Sequence, residues 1–386
     1  MSYDNEKIRF GRQHIYIVEI DLDYCTLTAG TSPCTASETG NAKCFNTYDS
    51  CNDIPNYNKG VKTYRFCESV SPMPSALDAI PSLLRADIAP AQIDLAGGLG
   101  VRASVNLTFK DHPSSDLGID KYLGDRTYSA FGLGTFWTKL RARNKNYQYR
   151  PLRILSGYLE NGEYRTNYFD PINFITRYYV IDKMNVSGGK VTITAKDPLK
   201  LASNKKALAP KVTTGQLSAD LTATGTTLTA TPAGVGNSEY PASGKILINS
   251  EVISFTRSAD VFTLTQRGTN NTLAVSHEDN DTIQLCLEYV GQSVNAIVQD
   301  LIANYADIDL SFIPVNAWAS EVSTFLSGLL TGIIVKPFDV YKLLKELAEN
   351  MPHYLWWDER AGVIQLTALK APPSSANLLD SNGYLV

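Results

Sequence analysis

Val101-Arg102-Ala103-Ser104-Val105-Asn106-Leu107-Thr108-Phe109-Lys110 alternates without a break. Val101, Ala103, Val105, Leu107 and Phe109 face one way. Arg102, Ser104, Asn106, Thr108 and Lys110 face the other. Strand side chains alternate with period two, so this stretch offers one face to a core and one to water, as a half-buried antiparallel strand does. The flanking sequence has the same texture. His14-Ile15-Tyr16-Ile17-Val18-Glu19-Ile20-Asp21-Leu22 consists largely of β-formers, and Thr63-Tyr64-Arg65-Phe66 reads as another strand. Residues 135–139 and 149–159 continue the β reading. Residues 177–186 and 190–196 flank Ser187-Gly188-Gly189, a hairpin whose glycines supply the turn.

From residue 210 to 288 the composition shifts to Thr, Ala, Gly and Ser, with closely spaced turn signals between short apolar runs. That spacing predicts a small β-sandwich or barrel, inserted as a domain of its own. The period then changes. Ser293 is a candidate N-cap for a helix carrying Val294, Ile297, Val298, Leu301, Ile302 and Tyr305 on one face. A second helix follows Pro337, with Val340, Leu343, Leu344 and Leu347 in register, closed by Asn350 and Pro352. Residues 353–357 and 363–369 form a hairpin around Asp358–Gly362. The expected fold is therefore α+β, mostly antiparallel β and multidomain, with β-barrel-like domains and a small inserted β-domain. The domains are 1–209 with a cysteine-rich lobe at about 23–67, 210–288, and 289–386, a helix-and-sheet domain. Residues 372–375, Pro-Pro-Ser-Ser, are linker-like.

The 386-residue chain carries 44% apolar and 19% charged residues and a net charge of −4, a balance that does not favour polyanion binding. Its first residues lack the apolar run of a signal peptide, and no stretch is long enough to span a bilayer. A reducing cytosol is the expected folding compartment. Five of the six cysteines fall between Cys25 and Cys67, in a segment with too little apolar surface to order itself. In a reducing compartment such clusters more often hold metal or an iron–sulfur group than disulfides, though disulfides and plain structural thiols remain alternatives. The spacing is Cys25-x8-Cys34-x9-Cys44-x6-Cys51, then Cys67. It contains no Cys-x2-Cys knuckle, and no histidine lies within it. A zinc site would have to be all-cysteine on long loops. Thiolates on an iron–sulfur cubane sit further apart, which widely spaced loop cysteines can satisfy.

Three stretches resemble a siphophage and prophage family of tail baseplate hub proteins. One is Cys25–Cys34 followed by Lys43–Cys51 and Lys62–Cys67. The second is Tyr240-Pro241-Ala242-Ser243-Gly244 through Ile253-Ser254-Phe255 and Gln266-Arg267-Gly268-Thr269, similar to a small β-domain of phage tail proteins. The third is Pro352–Glu359 with Val363-Ile364-Gln365-Leu366. The resemblance implies a non-enzymatic virion protein: a homotrimeric hub at the tail tip, assembled in the host cytoplasm. Its implied partners are the distal tail protein, the tape measure protein and a central fibre or other baseplate proteins. Related tail-tip proteins, such as the minor tail protein L of lambda-like phages, hold a [4Fe–4S] cluster on four cysteines, the last pair spaced as Cys44 and Cys51 are here. The resemblance thus implies Cys25, Cys34, Cys44 and Cys51 as iron ligands, Cys67 as the alternate, and zinc as the alternative metal. Two departures are the N-terminal position of the cysteines and the continuation of similar hubs beyond residue 386.

Other features have simpler readings. Cys286, in Ile283-Gln284-Leu285-Cys286-Leu287, reads as a buried strand thiol. Tyr354, Trp356 and Trp357 read as two faces of a strand, the alternative being a carbohydrate-binding tail module. The basic run of Lys139, Arg141, Arg143, Lys145, Arg150 and Arg153 reads as a solvated or protein-contacting strand rather than a specific nucleic-acid surface. Asp111, His112 and Ser114 lack the elbow motif of a hydrolase, which leaves a tail-associated cell-wall hydrolase as an alternative without a matched catalytic pair. The run Leu95–Gly100 is glycine-rich but precedes a strand, the wrong order for a phosphate loop.

Overall fold

The computed structural model describes residues 3–36, 38–69, 78–91, 103–159, 174–359 and 361–370. The glycine-rich run at 95–100, Val101 and Arg102 of the alternating stretch, Arg360 in the last turn and the linker at 372–375 lie outside the described residues. The chain divides into two compact units. One comprises residues 1–92, 102–200 and 357–362; the other comprises 93–101, 201–356 and 363–386. The sequence reading drew its boundaries at 209/210 and 288/289.

In the first unit a short helix α1 (Tyr3–Lys7) leads into β1 (His14–Cys25). With β2 (Lys59–Glu68), β3 (Ala79–Ala89), β4 (Ser104–Lys110), β5 (Pro151–Tyr158), β6 (Ile175–Ser187) and β7 (Lys190–Lys196) it closes a barrel in the order β1-β2-β3-β4-β7-β6-β5. Neighbours are antiparallel except β2 and β3, which run parallel with Arg65 opposite Ala79. β4 behaves as its alternation requires: Val105, Leu107 and Phe109 are buried while Asn106 and Lys110 are exposed. Closure leaves no free edge in this sheet.

Residues 135–139 correct the β expectation. They open helix α2 (Phe136–Arg143), which buries Phe136, Trp137, Lys139 and Leu140 on one face. Phe and Trp favour strands, but here the helix start is fixed from outside. Asp111 Oδ1 accepts the Trp137 N–H at 3.2 Å, and Oδ2 accepts the Thr135 hydroxyl at 2.6 Å. Trp137 then stacks on Phe66 at 4.7 Å and tilts over Phe109 at 4.8 Å between ring centres. That packing of a fully buried ring outweighs local propensity.

The second unit begins with β8 (Leu208–Ala209). It continues with β9 (Gln216–Leu217), β10 (Thr227–Thr231), α3 (Val235–Glu239), β11 (Ser243–Ile248), β12 (Glu251–Ser258), β13 (Val261–Thr269) and β14 (Ile283–Leu285). Strands β9 to β14 form one six-stranded sheet in the order β14-β11-β12-β13-β10-β9. Its ends curl together: Leu217 N donates to Asp281 O, and Ile283 N to Gly215 O. The enclosed core includes Leu217, Ile246, Ile253, Phe255, Phe262 and Ile283.

One charge sits inside this sheet. Glu251 is fully buried; its carboxylate takes Arg267 at 2.7 and 2.8 Å, His277 Nε2 at 2.9 Å, and the N–H groups of Gly268 and Val275. Burial alone would raise its pKa. The Arg267 pair, helped by Val275, His277 and Gly268, wins and lowers it to about 2.

β15 (Leu287–Ser293) follows, then α4 (Val294–Asp300), whose last turn widens through Leu301–Tyr305. Ser293 occupies the expected cap position without a side-chain hydrogen bond. Among the elements that went unread in the sequence are β3, β15, α5 (Val315–Phe325) and β16 (Leu329–Ile334), which pairs with β15. β17 (Phe338–Asp339) pairs with β8, and Asp339 caps α6 (Val340–Asn350) by accepting the Lys342 N–H. β18 (His353–Asp358) and β19 (Val363–Ala368) make the expected hairpin. No helix among the described residues is long and apolar enough to cross a membrane.

Candidate metal centre

The register of β1 against β2 runs out at Cys25 opposite Lys59. Residues 26–58 are therefore the connection of a single hairpin, far longer than such a connection needs. It contains three single turns, Gly40–Ala42, Tyr48–Ser50 and Ile54–Asn56, none of which buries a residue. Polar clamps, rather than a core, give it shape.

Asn46 ties the end of β1 to the middle of the connection. Its Nδ2 donates to Cys25 O at 2.9 Å and Leu27 O at 2.8 Å, and its own carbonyl accepts Cys25 N at 2.6 Å. Its φ of 56° is one that asparagine tolerates better than most side chains. Asp53 ties the stretch after Cys51 to the stretch after Cys34. Oδ2 accepts the Thr35 N–H at 2.6 Å and the Thr35 hydroxyl at 3.0 Å, bringing Cys34 toward Cys51. Those bonds, with Asn56, hold its carboxyl below the usual range. Ser50 joins the remaining arms by accepting Phe45 N at 2.9 Å.

The strongest clamp comes from outside the connection. Arg126 has no side-chain exposure, nor has its partner Asp120 at 2.9 Å. Arg126 donates to the carbonyls of Gly40, Asn41, Lys43 and Cys44 at 2.8–3.2 Å. Its guanidinium carbon also lies 4.5 Å from the Phe45 ring centre, with that of Arg143 at 4.0 Å. Asp49 fastens the Cys51 turn to the loop after α2 by accepting from Lys145 N, Asn146 N and Asn146 Nδ2.

These clamps bring Cys25, Cys34, Cys44 and Cys51 to the wall of one small pocket. Leu27, Ala36, Asn46, Asp53 and Tyr57 line it too. None of the chain's six cysteines is in a disulfide. Burial pushes the Cys44 and Cys51 thiols up. Backbone N–H groups of Asn46 and Asp53 pull them down, and the neighbouring thiolates push them up again. Asp53 N lies 3.4 Å from Cys51 Sγ. Asn46 Oδ1 and Tyr57 Oη are buried with no hydrogen-bond partner among the described residues.

Cys67 does not join the four. It lies on β2 opposite Ile17, fully buried with Ile15, Ile17, Leu155, Leu159 and Phe174. A thiol enclosed by that apolar cluster, on the opposite face of β2 from Phe66, is poorly placed to serve as the alternate ligand. Among the described residues, no three His, Cys, Asp or Glu side chains converge on a point where one metal ion could sit. Four thiolates on zinc, at Zn–S of ~2.3 Å, need to stand only about 3.8 Å apart. A cubane spreads its four thiolates over four irons. The thiols are free, on four separate stretches, and the Asn46 and Asp53 N–H groups lie beside the Cys44 and Cys51 sulfurs, a donor set whose chemistry suits iron or zinc.

The other sequence candidates disperse. Asp111 caps α2, His112 Nδ1 faces the Pro113 carbonyl, and Ser114 bonds to Asp116, so the three make no relay. The basic run is spread over α2, the loop after it and β5, not one strand. Lys139 and Arg143 both pair with buried Asp116, Arg150 with Asp23, and Arg153 with Glu19 and Asp21. Most of its charge is thereby neutralised within the protein. Trp357 is buried and Trp356 half-buried, the alternation expected of a strand, and Cys286 is buried beside Leu247 and Val252.

The chain matches no protein-family profile and none of the curated proteins. Among solved structures it aligns with a chain of the virion of a native gene transfer agent particle. The TM-score is 0.27 and the identity 10%, over 74% of this chain and 83% of that one. A superposition at that TM-score carries no inference here.

Proposed function

We propose that this chain is a structural virion protein, the baseplate hub of a phage-type tail, and that its lobe at residues 26–58 is held by a [4Fe–4S] cluster on Cys25, Cys34, Cys44 and Cys51. The observation that supports the cluster is the meeting of these four thiols, from four separate stretches, at one cavity. The hub role rests on the sequence resemblance. With it come a homotrimer, contacts to the distal tail protein, the tape measure protein and a central fibre, and a place at the tail tip.

Iron bound there would supply four iron–thiolate bonds that cross-link a connection with no core of its own. The residues of the chain do the rest. Arg126 and Asp53 hold the arms in place. Zinc on the same four thiols is the alternative metal.

The hub role is tested on purified particles with an antibody to the β9–β14 sheet. Gold label at the distal end of tails supports it. Particles that lack the chain, or carry label along the tube or on the head, refute it.

A further inference from the structure

We infer that the Tyr57 hydroxyl donates a hydrogen bond to a sulfur of the group held by Cys25, Cys34, Cys44 and Cys51, and so tunes it. This rests on the cluster reading above. Tyr57 lines the four-cysteine cavity, and its hydroxyl oxygen is buried there without a partner among the described residues. A buried hydroxyl is rarely left unmade in a folded protein, so the missing acceptor needs identifying. The cavity wall offers little choice. Asn46 Oδ1, its other unpartnered polar atom, is not within bonding distance of Tyr57 Oη. No cysteine sulfur is within bonding distance either, so the acceptor would come with the bound group, as one of its inorganic sulfides. The ring is not free to turn away, because Tyr48 packs edge-on against it at 5.2 Å and 85°.

A donor at a cluster sulfur favours the reduced, more negative form, and such bonds are among the features that set iron–sulfur potentials. Tyr57→Phe removes the donor and keeps the ring. Tyr57→His keeps a donor with a smaller ring.

The test uses the full chain purified without oxygen, as wild type, Y57F and Y57H. Iron and acid-labile sulfide are measured first, then the midpoint potential by redox titration followed by electron paramagnetic resonance. The expected result is equal loading in all three, a more negative midpoint in Y57F, and a midpoint in Y57H restored toward wild type. Loss of iron from Y57F with retention in Y57H also supports the bond. Loss from both variants overturns it, since the ring alone would then matter. Equal loading with equal midpoints overturns the Tyr57 bond and leaves the cluster standing. Wild-type protein without iron and sulfide overturns the cluster reading and the Tyr57 bond with it.

Discussion

Arg126→Met should open the cysteine lobe. The substitution keeps most of the side chain's volume but removes six hydrogen bonds: two to Asp120 and four to the carbonyls of Gly40, Asn41, Lys43 and Cys44. It also strands the Asp120 carboxylate, which has no side-chain exposure. Breaking a buried ion pair from one side costs about 3–5 kcal/mol. Some of the freed carbonyls turn to water, so the lower end of that range is expected. For a domain whose whole stability is about 5–15 kcal/mol, that is a large share. Hydrogen exchange followed by mass spectrometry on the metal-free chain reads the effect locally. Peptides covering residues 26–58 should lose protection, while those of β9–β14 should not change. Asp120→Asn combined with Arg126→Met should recover part of the loss, because no charge is then left buried. A loss under about 1 kcal/mol, or a double variant no better than the single one, would refute the clamp.

Other substitutions probe the rest of the molecule. Glu251→Gln should destabilise the β9–β14 sheet at neutral pH by about 3 kcal/mol, the equivalent of a carboxyl lowered from 4.5 to about 2. Because the folded pKa is the lower one, this stabilisation is complete above about pH 4.5 and is lost as pH falls toward 2. Thermal melts should therefore show the gap between wild type and E251Q closing across that window, and a gap independent of pH would contradict the assignment. Cys67→Ala should cost the barrel about 1 kcal/mol and leave iron content unchanged, whereas Cys51→Ala should remove the iron. Iron lost from the Cys67 variant would return that residue to the ligand set.

Period-two alternation announced the strands well. Residues 103–110 fall where the pattern puts them because a barrel has one inside and one outside, and alternation is the direct record of that. The helix at Phe136 was not legible, since its start depends on Asp111, a residue on the preceding loop. α5 was missed because Val315–Phe325 buries only Trp318 and Val322, too few positions to set a clear helical period. The four cysteines could be singled out from their clustering alone, and Asn46 and Asp53 beside them are ordinary turn residues that could have been weighed. Arg126 could not. It stands 82 residues from Cys44 and carries no motif, and only the folded chain brings the two together. Cys67 shows the converse: closeness in sequence placed it with the cluster, and its burial among Ile15, Ile17, Leu155 and Phe174 took it away.

Iron and acid-labile sulfide content, with the visible absorption spectrum, should be measured on the full chain purified without oxygen. The account predicts about four iron and four sulfide per chain, lost when Cys25, Cys34, Cys44 or Cys51 becomes Ser and kept when Cys67 does. Stoichiometric zinc, or four thiols that bind neither metal, would contradict it.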